Sequence, residues 1–205
     1  LYKTKYPRNR YHYWMLSSLG EAMDKEVKPD PEITDTVLSK VVLGWSLALM
    51  ERHGVQVKEV PIYKKNIDIH FSIKTKHKSK TEHDNLNSID NHYAFHRVGA
   101  TREIERIAAK HGFSLSGKCK SSEYLKRMRA SKLCLSPLGL GESCFRDMES
   151  QTQGAILVKP DMSHLETWPD IYEPNHTYFP VKWDWTDLEE TVVKILDNYK
   201  DHRDM

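Results

Sequence analysis

Apolar residues recur at helical spacing early in the chain. Leu38, Val41, Val42, Trp45, Ala48 and Leu49 form one stripe, Gly54 lies just beyond it, and Thr34 or Asp35 is available as a cap. This predicts an amphipathic helix. Residues 1–32 ahead of it are tyrosine-rich and basic, with no periodicity beyond a short helix near 17–23. The period then changes. Residues 55–63 read as extended, and Ile67, Ile69, Phe71 and Ile73 alternate with Asp68, His70 and Ser72, which predicts a strand. Residues 74–91 are polar, with lysine at 74, 76, 78 and 80, and predict a long exposed loop.

From there strand and helix patterns alternate. A helix is expected over 92–111, with Ile104, Ile107 and Ala108 on one face and Gly112 as its stop. A short strand over 113–117 follows, then a helix capped by Ser121 or Ser122 that carries Tyr124, Leu125 and Met128. Residues 133–136 predict a strand closed by Pro137, residues 142–153 a helix ended by Gly154, and residues 155–158 a strand. After a long loop, Thr186 and Glu189 predict a capping box for a last helix bearing Leu188, Val192, Val193 and Leu196. The alternation predicts right-handed βαβ units: an α/β fold with a Rossmann-like parallel sheet flanked by helices. That domain is expected over residues 62–205, after a partial N-terminal segment, 1–61, with its helical appendage. Its ligand belongs at the carboxyl ends of the strands.

Composition narrows the class. Hydrophobic residues are 39% and charged residues 29%, a folded, soluble balance. A net charge of +2 lacks the concentrated excess of a nucleic-acid binder. No apolar run approaches the roughly 20 residues of a membrane span. The start is polar and basic, without the apolar core of a signal peptide, and its first residue, Leu1, suggests a missing or processed N-terminus. Cys119, Cys134 and Cys144 show no CxxC spacing, which fits reduced thiols in the cytoplasm.

The chemistry concentrates in the run from Ser136 to Glu149. A buried strand enters a turn containing Gly139 and Gly141, and a helix follows. Glycines let backbone amides approach a ligand, and a helix N-terminus favours a diphosphate. Arg146 lies a turn inside that helix and can fork onto phosphate, while Glu149, one turn further, can accept from two ribose hydroxyls. The same residues also read as an ordinary tight βα turn followed by a solvated i,i+3 pair.

Ser131-Lys132-Leu133-Cys134-Leu135-Ser136-Pro137, Gly139, Gly141-Glu142, Arg146-Asp147-Met148-Glu149 and Gly154-Ala155 together resemble the C-terminal domain of glycosyltransferases of the GT-B fold. The nearest resemblance is to the glycosyltransferase-like family that includes a spore-maturation protein, with a more distant one to the exostosin domain. Residues 159–169 and 178–187 extend it, and it continues weakly back to Asp68. The resemblance implies one half of a two-domain enzyme, most of whose other half this chain lacks. It implies transfer of a sugar from a nucleoside-diphosphate donor such as a UDP-sugar to a glycan, lipid or protein acceptor. Glu149 takes the ribose role, Arg146 a diphosphate or structural role, and Glu142 that of the first glutamate. The two glutamates are seven positions apart, one fewer than in the common retaining motif, so stereochemistry stays open. No metal is implied: backbone amides, arginine and lysine can stabilise the leaving diphosphate, and no DxD-like pair is suitably placed.

Other residues flank the same edge. His164 and Glu166 follow a strand and can face the donor sugar, or hold their loop. Lys159, at its strand end, reads equally as a phosphate contact or a solvated lysine. Lys74 and Arg97 also fall on the ligand side. His92 and His96 have a zinc-compatible i,i+4 spacing, but nothing completes the site. The lysine alternation over 74–80 is chiefly a solvated loop, with peripheral contact to an anionic membrane as the lesser reading. Trp168, Trp183 and Trp185 can stack on sugars or pack in the core. Two rival classes remain: a nucleotide-sugar-binding module without transferase activity, and a flavodoxin-like interaction domain. The latter predicts Arg146 and Glu149 pointing away from the glycine turn.

Overall fold

The computed structural model describes residues 2–3, 5–7, 42–43, 64–73, 89–138, 142–167 and 170–202, of which 2–3, 5–7, 42–43 and 89–95 are described as backbone alone. Three short strands, β1 (Tyr2–Lys3), β2 (Lys5–Pro7) and β3 (Val42–Leu43), precede the main body. β1 pairs in parallel with β3. Val42 and Leu43 are therefore extended where the apolar spacing predicts helix. The rest of that stripe, the short helix near 17–23, the extended stretch 55–63 and the loop containing Lys74 lie outside the described residues.

The main body is an α/β unit. Its sheet holds β4 (Ile67–His70), β5 (Ser131–Leu135), β6 (Ile156–Pro160) and β8 (Phe179–Val181) in that order, all parallel. The helices are α1 (Ile89–His111), α2 (Ser121–Arg129), α3 (Phe145–Thr152), α4 (Leu188–Asp197) and a final turn, α5 (Tyr199–His202). The segment expected as a strand over 113–117 makes a single parallel bridge, Leu115 to Ile69. Its Ser114 carbonyl accepts from the Ile69 amide, and the Ile69 carbonyl accepts from the Ser116 amide. It thus borders β4 on the side away from β5.

This detour reverses the winding. The chain leaves β4 through α1 to the outer edge, returns through α2 to β5, and then proceeds to β6 and β8. α1 and α4 pack one face: Ala100, Ile104, Ile107, Leu188, Val192 and Ile195 meet Ile69, Leu133, Leu135 and Val158. On the other face Met128 and Tyr124 of α2 meet Cys134 and Ala155. A parallel sheet covered on both sides buries both sets of alternating residues, and the chain's change of direction falls between β4 and β5.

After β6, a loop carries β7 (Leu165–Thr167), which pairs antiparallel with β2. Tyr172 and Tyr178 pack there with Leu157, Met162 and Leu165. Gly112 and Gly154, the expected helix stops, have φ of 70° and 65°. Three helix starts differ from expectation. Lys120, not Ser121 or Ser122, precedes α2. α3 begins at Phe145, three residues later than read from the pattern. α4 has no Thr186–Glu189 capping box, since Thr186 bonds to Asp184 and Glu189 reaches across to α1.

Candidate functional site at the carboxyl edge of the sheet

Asp147 is the hub of this edge. It is the third residue of α3, and only 1% of its side chain is exposed. It accepts from the Ser136 hydroxyl just past β5, from the Cys144 amide (2.9 Å) and from the Tyr172 hydroxyl (2.7 Å). The reciprocal bonds between Cys144 and Asp147 make the cap of α3. Burial opposes ionisation of Asp147, but Lys159 and its hydrogen-bond donors together hold its carboxyl below the usual range.

Lys159, near the end of β6, is fully buried and not solvated. Its Nζ lies 3.2 Å from Asp147 Oδ2 and 5.9 Å above the Tyr172 ring, yet no hydrogen bond completes its shell. Arg146 turns inward, with Nη1 3.3 Å from Ser136 Oγ and 3.2 Å from the Pro137 carbonyl. It therefore points at the strand end that leads into the glycine turn. Glu149 is buried at 7% exposure, with Tyr124 and Cys134 in its electrostatic surroundings. A solvated Arg146–Glu149 pair is thus replaced by two inward side chains. Gly139 and Gly141 lie outside the described residues, but both flanks of their turn are held. Leu138 receives Arg97 Nε on its carbonyl (2.8 Å) and gives its amide to His96 Nδ1 (3.3 Å). Glu142 pairs with His164, Nε2 to Oε1, at 2.9 Å.

One pattern unites these side chains. Among the described residues, the buried side-chain nitrogens and oxygens without a partner belong to His70, His96, Ser143, Arg146 and Lys159. All five sit at the carboxyl end of the sheet: His70 ends β4, Ser143 precedes α3 and Arg146 lies in its first turn, Lys159 is the penultimate residue of β6, and His96 accepts from the Leu138 amide. Burial, reinforced by the Arg146 and Arg127 charges, pulls His70 down to about 4. Burial and then the Lys159 charge do the same to His96. Buried donors gathered at one sheet edge, beside a helix N-terminus, are suited to an anion. An anion supplies several acceptors at once and offsets the charge that keeps the histidines neutral.

His96 also lies against Trp183 and Trp185 with tilted rings, at centroid distances of 5.6 and 4.4 Å, and its Nδ1 accepts from the Leu138 amide, so use as a zinc ligand through that nitrogen competes with this bond. Among the described residues no three His, Cys, Asp or Glu side chains converge as a metal site. Burial raises the Cys144 thiol above its ordinary range. Among the same residues no helix is long and apolar enough to cross a membrane.

The pattern in the sequence missed His70, Ser143, Asp147 and Tyr172. His70 occupies the polar phase of its strand, which faces solvent only in a sheet covered on one side. Asp147 had a local signal: an acid three residues after a cap position. No family model, curated protein or solved structure matches this chain.

Proposed function

We propose that this chain binds a nucleoside-diphosphate sugar at the carboxyl edge of its parallel sheet and serves as the donor-binding half of a glycosyltransferase. The observation that carries this reading is the set of buried polar side chains at the carboxyl ends of the strands, with Arg146 and Lys159 beside the start of α3 and His70 and His96 flanking them. Its position supports the reading too. A doubly wound sheet opens a crevice where the chain changes direction, and His70 and Arg146 stand at the strand ends on either side of that point. Arg146 directed at the Ser136–Pro137 strand end speaks against a plain interaction domain, in which it would turn away.

In this account the diphosphate lies against the start of α3, with Ser143, Arg146 and Lys159 donating to its oxygens. The same donors stabilise the charge that develops as the nucleoside diphosphate leaves, so the departure step needs groups already in place. Asp147 keeps Lys159 and Ser136 in register and takes no part in the reaction. Glu149 accepts from the ribose, as the resemblance implies. Equilibrium binding of UDP, GDP, ADP and CDP tests the assignment. Glu149→Gln is expected to weaken the preferred diphosphate by about 1–3 kcal/mol, the cost of a lost charge-assisted hydrogen bond. An unchanged affinity in a folded variant removes Glu149 from the ribose site.

A further inference from the structure

Glu142 and His164 come from the segments that follow two neighbouring strands, β5 and β6. Glu142 precedes Ser143 in the approach to α3, and His164 stands in the loop between β6 and β7. Their side chains meet at 2.9 Å, through His164 Nε2. The Glu142 side chain is 17% exposed and the His164 ring 40%. The loop holding His164 is itself pinned: Asp161 accepts from the Ser163 amide and hydroxyl, and the Tyr178 hydroxyl donates to Asp161 Oδ1 and accepts from the Met162 amide. Trp183 packs edge-on to the His164 ring at 5.7 Å, and its own Nε1 is fixed to the Asp161 carbonyl. The ring is thus held by a carboxylate on one nitrogen and an indole at its side, while Nδ1 has no protein partner among the described residues. A carboxylate that orients one imidazole nitrogen and leaves the other open is the arrangement of a general base.

We propose that His164 is the base that accepts the proton of the attacking hydroxyl, with Glu142 as its positioning residue. This rests on the donor-binding reading above. In the step, Nδ1 takes the proton as the acceptor oxygen bonds to the anomeric carbon. The bond from that carbon to the diphosphate oxygen breaks, and its electron pair leaves with the nucleoside diphosphate. Glu142 stabilises the imidazolium. Attack opposite the leaving group inverts the anomeric centre, so the dyad decides a stereochemistry that glutamate spacing leaves open.

The test uses the full chain with water as the acceptor. Binding of UDP-glucose, GDP-mannose and ADP-glucose, all α-linked, is measured first by calorimetry. Release of nucleoside diphosphate and the anomer of the freed sugar by proton NMR are measured next. The β-anomer is expected first. His164→Gly is expected to lower kcat by about 100-fold with KM within about twofold, and added imidazole to restore turnover. Glu142→Gln lowers kcat less, by about tenfold, and makes it depend on pH differently from the parent. A purely structural pair would lose activity in His164→Gly without rescue by imidazole, which overturns the proposal. So do unchanged turnover in a folded His164→Gly, release of the α-anomer first, or binding without any release by the parent chain. If none of the three donors binds, the donor-binding reading fails and the dyad falls with it.

Discussion

Asp147 and Lys159 form an ion pair in which neither side chain reaches water. Breaking such a pair by removing one partner leaves an uncompensated buried charge. Asp147→Asn is therefore expected to cost about 3–5 kcal/mol in urea unfolding. Asp147→Asn combined with Lys159→Met should cost less than the sum of the two single changes, since the second removes the orphaned ammonium. Strict additivity would mean that the two groups do not interact. His70 and His96 give a second consequence at this scale. Both are held near 4 in the folded chain, against an ordinary 6.5. Between those values the unfolded chain binds more protons, so their contribution to stability is full above about pH 6.5 and is lost as pH falls toward 4. Denaturation midpoints at pH 7 and pH 5 should differ in that direction, and the difference should shrink in His70→Phe. A midpoint that rises on acidification contradicts buried neutral histidines. His70 illustrates why such residues escape a reading of the pattern. Alternation predicts which residues share a face, while burial of the second face is decided by α2 and α3, far along the chain.

The elements were legible where local chemistry alone sets them. Gly112 and Gly154 sit in the left-handed region that the ends of α1 and α3 require. At Gly154 an added Cβ meets only Lys65 Nζ, at 3.7 Å, so the cost of Gly154→Ala is backbone strain, about 1 kcal/mol in thermal or chemical unfolding. A neutral Gly154→Ala would show that the turn relaxes. Gly99 is a different case. An added Cβ there lies 3.4 Å from Cδ1 and Nε1 of the Trp185 indole, so Gly99→Ala brings α1 into close contact with that ring. Helix starts were harder to read, because partners distant in sequence decide them. The spacing puts Glu189 in a local capping box, but it gathers Lys110, His111 and Arg106 from the end of α1, which lower its carboxyl to about 2. Asp187 instead accepts from the Lys182 amide. The late start of α3 has the same origin: Asp147 caps it from within and simultaneously binds Ser136 and Tyr172.

At the scale of the whole molecule, the parallel α/β order was legible from strands and helices in alternation, and the reversal between β4 and β5 was not. That reversal depends on one bridge, Leu115 to Ile69, which the pattern shows only as a short apolar run. The reversal brings His70 to the same edge as Ser143, Arg146 and Lys159, residues between 73 and 89 positions later in the chain. Arg146 could be singled out from the sequence, whereas the place of His70 at this edge required the fold. The central claim is that these donors form one anion site in which the histidines are neutral until an anion arrives. Calorimetric titration with nucleoside diphosphates and their sugar conjugates at about pH 5.5, in two buffers of different ionisation heat, tests it directly. The account predicts saturable binding of one nucleotide, with a buffer-dependent heat that reports proton uptake by His70 and His96. Absence of saturable binding in a folded sample, or binding with the same heat in both buffers, would contradict it.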